Sequence, residues 1–304
     1  TLTAVKDKVG RHAVFTPYAL SCNPDFDAIR DSGYKNYYYE SLPVTFEKLS
    51  AEQPNAYEGA WSLWQESLKS GVLAPQFHGR EHLNLSLIRV KLKNGDQDIL
   101  NSFKQQSVVA LDDSAYHQKG WTAAFSFWDK EEFSLHQHIL EEGLQSFRTI
   151  FGYQAVAFTP PAQQFHPDLY PVIQSAGIQA IDRPFVYRQH QGQAKYSWQW
   201  ECTHLDRKSN LVKLIRNVVF EPSVSNIDHV GKALTQIETA FRWRKPAIIS
   251  SHRVNFCGHI DPKNREKGLA SLKQLLTRIV KRWPDVEFVG VHELVKLIRG
   301  DAKP

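Results

Sequence analysis

The sequence predicts an α/β fold in which parallel strands are covered by helices. Two observations predict it. Short apolar, β-branched or aromatic runs alternate with amphipathic helical patterns along most of the 304 residues. Polar residues of catalytic type stand where successive runs end: Glu40, His78, Pro160, Asp182, Glu221 and His252 fall at such places. With about seven strands, closure into a (β/α) barrel is favoured over a doubly wound open sheet.

The elements follow in order. His12 to Tyr18 reads as a strand, and Asn23-Pro24-Asp25 opens a short helix that runs through Ser32 and ends at Gly33. Asn36 to Glu40 reads as a strand. Ala56 to Ser70 reads as one amphipathic helix closed by Gly71. Val72 to Phe77 is a strand that runs directly into His78-Gly79-Arg80-Glu81-His82. Downstream, helices are expected over Glu131 to Phe151, His166 to Ala176, Ile227 to Trp243, Pro262 to Trp283 and His292 to Arg299. Strands are expected over Gln154 to Phe158, Ile178 to Ile181, Leu211 to Phe220, Pro246 to Ser251 and Val286 to Val291. No internal repeat or low-complexity linker interrupts the pattern, so a single domain over 1–304 is expected.

Composition narrows the function classes. An apolar fraction of 42% with 23% charged residues is that of a globular chain with a sizeable core. The formal charge of +5 is scattered, which argues against a nucleic-acid partner. No apolar stretch of about 18 residues occurs, so no membrane span is expected; no secretory leader is visible, and a soluble protein of cytoplasm or periplasm is the reading. Cys22, Cys202 and Cys257 form neither a disulfide framework nor a zinc ribbon. The 13 His, 8 Trp and 11 Tyr suit metal binding, proton transfer and stacking on sugar rings.

The candidate site residues come from the strand ends. If the chain turns helical after Phe77, His78 and His82 share a face and can bind one divalent metal ion; neutral imidazole suits zinc, the ion expected, and also cobalt, nickel or iron. Two unrelated surface histidines would give the same spacing. Arg80 and Glu81 point elsewhere and could serve catalysis or substrate. His252 ends an apolar run and could protonate a leaving group; a hydrogen-bonded core histidine is the alternative. Glu221 could orient a catalytic His or cap a loop. Arg216, Arg253 and Asn255 could position substrate or form the lip of a loop. Phe158-Thr159-Pro160-Pro161 reads as a rigid groove wall, with Pro160 at the substrate, or as an ordinary strand exit. Asp112-Asp113 reads as a turn or helix cap. Trp121 to Trp128 and Trp198 to Trp200 lie in loop-like stretches that could line a saccharide groove or simply pack there.

These residues together resemble the polysaccharide deacetylase superfamily, the NodB-homology or carbohydrate esterase family 4 fold, and more closely a bacterial branch of it with the phrase PQFHGREHLN, here Pro75 to Asn84. The resemblance covers nearly the whole chain and implies a distorted seven-stranded (β/α) barrel of the glycoside hydrolase/deacetylase type. It implies that His78 and His82 bind zinc, that His252 in Ser250-Ser251-His252 is the general acid, and that the substrate is an N- or O-acetylated oligo- or polysaccharide. Two departures accompany it. The family's Arg-x-Pro segment falls on Phe158 to Pro161, where no Arg stands. The family's Asp-Asp pair, which supplies the base and a third metal ligand, lies on a first strand; Ala13-Val14-Phe15-Thr16 matches the second strand and Thr1 to Gly10 the tail of the helix before it. The first strand is therefore expected upstream of Thr1. A glycoside hydrolase built on paired carboxylates (Glu40, Glu81, Glu221) and a non-catalytic carbohydrate-binding relative are the alternatives.

Overall fold

A computed structural model of the chain describes residues 1–108, 121–224 and 227–301. The fold is α/β, with a parallel sheet at its centre. Strand β1 (Tyr18–Ala19) leads into an antiparallel pair, β2 (Cys22–Pro24) and β3 (Tyr39–Ser41), around helix α1 (Phe26–Asp31). The Asp25 carboxylate caps α1 by accepting from the Ala28 amide. Helices α2 (Leu42–Glu52), α3 (Pro54–Tyr57) and α4 (Ala60–Lys69) follow. The single helix expected over Ala56 to Ser70 is broken at Gly59, whose φ of 72° is a left-handed conformation that glycine adopts freely. Strand β4 (Gln76–Phe77) enters the His loop, and α5 (Leu85–Lys93) and α6 (Gln97–Lys104) leave it. Asp112 and Asp113 lie outside the described residues.

The second half repeats the alternation. Helix α7 (Phe133–Phe151) precedes β5 (Ala157–Phe158), and α8 (Tyr170–Ser175) precedes β6 (Ala180–Asp182). The crossover from β6 then departs from expectation. It is an antiparallel hairpin, β7 (Val186–His190) and β8 (Tyr196–Trp200), followed by β9 (His204–Asp206) and β10 (Leu211–Leu214). Trp198 and Trp200, expected in a loop, thus stand on a strand. The run expected over Leu211 to Phe220 breaks after Leu214 and resumes as β11 (Val218–Val219), which pairs in parallel with β12 (Ile249–Ser250). Helices α9 (His229–Arg242), α10 (Pro262–Arg282) and α11 (Val291–Arg299) complete the chain.

Six strands form the main sheet in the order β1-β4-β5-β6-β10-β9. All neighbours in it are parallel except β9 against β10. Pleating sends successive side chains to opposite faces. Phe77, Phe158, Ile181 and Leu211 join the large core under α5, α7 and α8, whereas Ala157, Ala180, Val212 and Leu214 pack with Leu294 and Val295 of α11. Both faces are therefore covered, as a parallel sheet requires.

The expected seven-stranded barrel is not formed among the described residues, whose strands divide into one six-stranded and three two-stranded sheets. Residues 286–291 lie against 7–16, where a closing strand would sit. There the Lys8 amide donates to the Val286 carbonyl at 3.3 Å and the Phe288 amide to the Asp7 carboxylate at 2.8 Å. The Asp7 side chain takes a bond that a neighbouring strand would otherwise make, so no ladder forms over Val286 to Val291. Thr1 to Gly10, expected as the tail of a helix, holds a single 3-10 turn at Leu2–Ala4.

Candidate functional site

The carboxyl ends of the parallel strands bring together side chains from several segments of the chain. Phe77 ends β4 and His78 follows, its amide donating to the Ala19 carbonyl at 3.0 Å. The chain does not turn helical here. Gly79 takes a φ of 115°, and a Cβ there would stand 3.2 Å from Pro161 Cγ. This turn, not a helical face, brings the His78 and His82 rings to a centroid separation of 5.2 Å. The loop is pinned from both sides. Ser21 and Cys22 amides donate to the Gly79 and Arg80 carbonyls, and Gly143 of α7 packs against Arg80, whose Cβ lies 2.8 Å from where a Gly143 Cβ would be.

Each histidine is neutral for a physical reason. The His78 ring is held through Nδ1 by the Thr159 carbonyl at 2.7 Å. A carbonyl only accepts, so Nδ1 carries the proton and Nε2 keeps its lone pair. Burial pushes the His78 pKa down to about 4, against the opposing effect of that hydrogen bond. Burial likewise lowers His82, whose ring is bonded to backbone at Thr122. Two neutral imidazoles with committed N–H groups are the donor type that a divalent metal takes. Among the described residues, no third His, Cys, Asp or Glu completes a metal-binding group with them.

Beside the pair lies a buried carboxylate. Asp182, at the end of β6, is 1% exposed. One oxygen accepts from Thr159 Oγ1 at 3.1 Å and from Arg216 Nη2 at 3.0 Å; the other has no hydrogen-bond partner among the described residues. Burial raises the Asp182 pKa, and Arg216 pulls against it. Arg216 also donates to Ser250 Oγ at 3.3 Å and acts electrostatically on His78. The Gln163 amide fits between Asp182 and Arg216, reached through two residues in left-handed backbone, Ala162 at φ 51° and Gln163 at φ 57°. Such backbone in non-glycine residues costs of order 1–3 kcal/mol each and persists only where surroundings impose it. The Tyr18 hydroxyl joins the same group through Thr159.

After β11, Glu221 holds His252. Glu221 Oε1 is 2.7 Å from His252 Nδ1 and also accepts from the His252 amide. The acid thus selects the tautomer that leaves Nε2 outward, on a ring that is 75% exposed. Asn255 is fully committed: it donates to Glu221 Oε2 at 2.6 Å and to the His252 carbonyl at 2.8 Å, and accepts from Ser223 Oγ at 2.7 Å. Buried at 0% exposure, it staples the loop and offers nothing to a substrate.

The sequence-predicted residues therefore separate. His78, His82 and Arg216 converge; Glu221 and His252 form a dyad reached through Ser250. Arg80 and Glu81, expected at catalysis and substrate, bind each other instead. Arg80 Nε donates to Glu81 Oε2 at 2.8 Å, a further N–H reaches Glu142, and the guanidinium lies 3.9 Å above the Tyr39 ring. Both are buried, at 3% and 1% exposure, so their role here is to fix the loop. Arg253 is exposed, and Pro160 caps a turn behind His78. The three carboxylates of the paired-carboxylate alternative are each committed to a different partner: Glu40 to Lys48, Glu81 to Arg80, and Glu221 to the His252 ring. Trp121 is core, its ring tilted against Phe103 at a centroid distance of 5.9 Å. Sequence reasoning missed Tyr18, Thr159 as a ring holder, and Gln163. Asp182 was marked by its strand-end position alone.

No protein-family model matches the chain, and no curated protein does. Among solved structures, one described as a "putative polysaccharide deacetylase from Mycobacterium smegmatis" is similar at a TM-score of 0.33 and 15% identity. The match covers 56% of this chain and 61% of that one, so it spans less than two thirds of that protein. No helix among the described residues is long and apolar enough to cross a membrane.

Proposed function

We propose that this chain is a metal-dependent hydrolase that removes acetyl groups from an N- or O-acetylated saccharide. The observation that carries the reading is the His78–His82 pair: two neutral imidazoles, 5.2 Å apart, at the carboxyl edge of a parallel sheet. His78 and His82 would hold the ion, and zinc is among the ions that imidazole nitrogen suits. When bound, such an ion supplies Lewis acidity and lowers the pKa of a coordinated water. The remaining work falls to the chain's own residues. Arg216, fixed by Asp182 and Ser250, presents positive charge beside His78, where a tetrahedral oxyanion gains most from it. His252, oriented by Glu221, can donate a proton from its outward ring nitrogen to the departing amine or alcohol.

Acetate release from a panel of N- and O-acetylated oligosaccharides tests the reading, run with bound metal quantified, with chelator, and after zinc is restored. Wild type should release acetate from at least one substrate and lose the activity with chelator. H78A and H82A should lose metal, and H252A should keep it while turnover falls by about 10²-fold. Full metal occupancy with no acetate from any substrate would overturn the proposal; sugar binding without turnover would favour a non-catalytic relative.

A further inference from the structure

The crossover between β6 and β10 contains no helix, and this leaves a cleft of about 640 Å³ on the α8 side of the sheet, bounded by the β7–β8 hairpin and β9. We propose that this cleft is a saccharide-binding site separate from the His78 cluster. It shares no residue with that cluster and does not rest on the deacetylase reading. Lys213 pairs in register with Ile181 and so faces α8, whereas Asp182 alternates to the opposite face.

The floor offers donors. Lys213, 3% exposed, places Nζ 3.2 Å from the Tyr170 hydroxyl and 4.4 Å from its ring centroid. The same hydroxyl receives an Arg183 Nη2 bond at 3.4 Å. Two donors occupy the phenol oxygen, so what Tyr170 has left to give the cleft is its own proton. Burial pushes the Tyr170 pKa up, but Arg183 and Lys213 more than offset it and hold it below the ordinary value, which makes the phenol a stronger donor.

The walls offer acceptors. Gln189 commits its amide nitrogen to the Phe165 and His190 carbonyls, and Gln174 commits its own to the Ser209 carbonyl. Each is thereby held in the orientation that leaves the amide oxygen available. Charge then selects among ligands. Asp168 is paired with Lys130 at 2.5 Å and Asp206 lies 3.8 Å from Lys213, which leaves Glu201 and Lys208, of opposite sign, at the rim. The charges around the cleft largely cancel, so neither a polyanion nor a polycation gains from them. A neutral molecule with many hydroxyls, each both donor and acceptor, satisfies floor and walls together. The volume suits a short oligosaccharide.

Titration calorimetry with cellotriose, maltotriose and chitotriose tests the site, with inositol hexakisphosphate and spermidine as charged probes. At least one trisaccharide should bind with a Kd of about 1 mM or below. Q199W, at a half-exposed position in the cleft wall, and K213M should each weaken it at least about tenfold, while H78A leaves it unchanged. The melting temperature of Q199W checks its fold, and Q199W alone decides if K213M does not fold. The proposal is overturned if no trisaccharide binds at about 20 mM. It is also overturned if Q199W binds as wild type does, if only a charged probe binds, or if H78A abolishes a binding that Q199W keeps.

Discussion

Asp182 ends β6 of the main sheet and Glu221 follows β11 of the smaller parallel pair, and each is met by a side chain that can carry positive charge. Their surroundings differ. Asp182 is 1% exposed and lies under Arg216, Thr159 and Gln163; Glu221 is largely buried, but its partner His252 is 75% exposed. In the second pair water reaches the ring freely; in the first it reaches the Arg216 side chain, 34% exposed, but not the Asp182 carboxylate. A buried pair is expensive to break, because one partner alone leaves an uncompensated charge. A pair with one partner in solvent contributes little to stability, yet its exposed ring can meet a substrate. The strand ends thus divide into a part that holds its geometry and a part that can exchange protons.

The largest expected effect is at Arg216. R216M strands the Asp182 carboxylate and should lower unfolding free energy by about 3 kcal/mol in urea denaturation at neutral pH. The double variant D182N/R216M should recover at least half of that loss, because the neutral amide needs no cation. An R216M loss within about 1 kcal/mol would mean that Asp182 is already neutral or hydrated, and the contrast with Glu221 would fail.

Histidines repeat the contrast with the sign of the charge reversed. His136 is 1% exposed, packed edge-on to Phe125 at 5.6 Å, and burial pushes its pKa down to about 4. The folded state keeps it neutral while the unfolded chain protonates it near the ordinary 6.5. Between these values the unfolded state binds more protons, so stability falls as pH falls from about 6.5 to about 4, by about 3 kcal/mol in all. The H136F variant should lose that part of the slope, measured by denaturation at pH 7, 5 and 4 against wild type. Parallel slopes would mean that His136 is protonated in the folded state or that the ring opens to water.

How much of this was legible follows from the physics of each residue. The strands β4, β5 and β6 and the helices α7, α9, α10 and α11 were legible because alternation and helical spacing are local consequences of burial. The strand-end rule also marked His78, Asp182, Glu221 and His252 correctly as residues of the strand ends. The His loop was misread because a helix and a glycine-made turn can bring the same two rings together, and only the Gly79 φ of 115° distinguishes them. Arg80, Glu81 and Asn255 have side chains that could equally bind a substrate or another part of the chain; the sequence does not name the partner. The β7–β8 hairpin was visible in principle in Tyr196-Ser197-Trp198-Gln199-Trp200, whose period of two is that of a strand. The expectation of a helix between parallel strands obscured it. Residues 286–290 show the converse, a strand-like pattern whose closing bond is taken by the Asp7 side chain.

The smallest expected change in stability, and the most informative about chemistry, is at Glu221. Its carboxylate receives Nδ1 of a ring that is 75% exposed, so E221Q should alter unfolding free energy by less than about 1 kcal/mol. The amide can still accept from that nitrogen, but it no longer stabilises an imidazolium or fixes a single tautomer as firmly. If His252 is the proton donor, acetate release by E221Q should show kcat reduced by about 10-fold or more with KM and melting temperature unchanged. Glu221 then acts as a positioning residue through His252, and E221Q combined with H252A should be no slower than H252A alone. A loss of melting temperature as large as that of R216M would show that both pairs hold the fold, and the division of the strand ends into a structural and a reactive part would not stand.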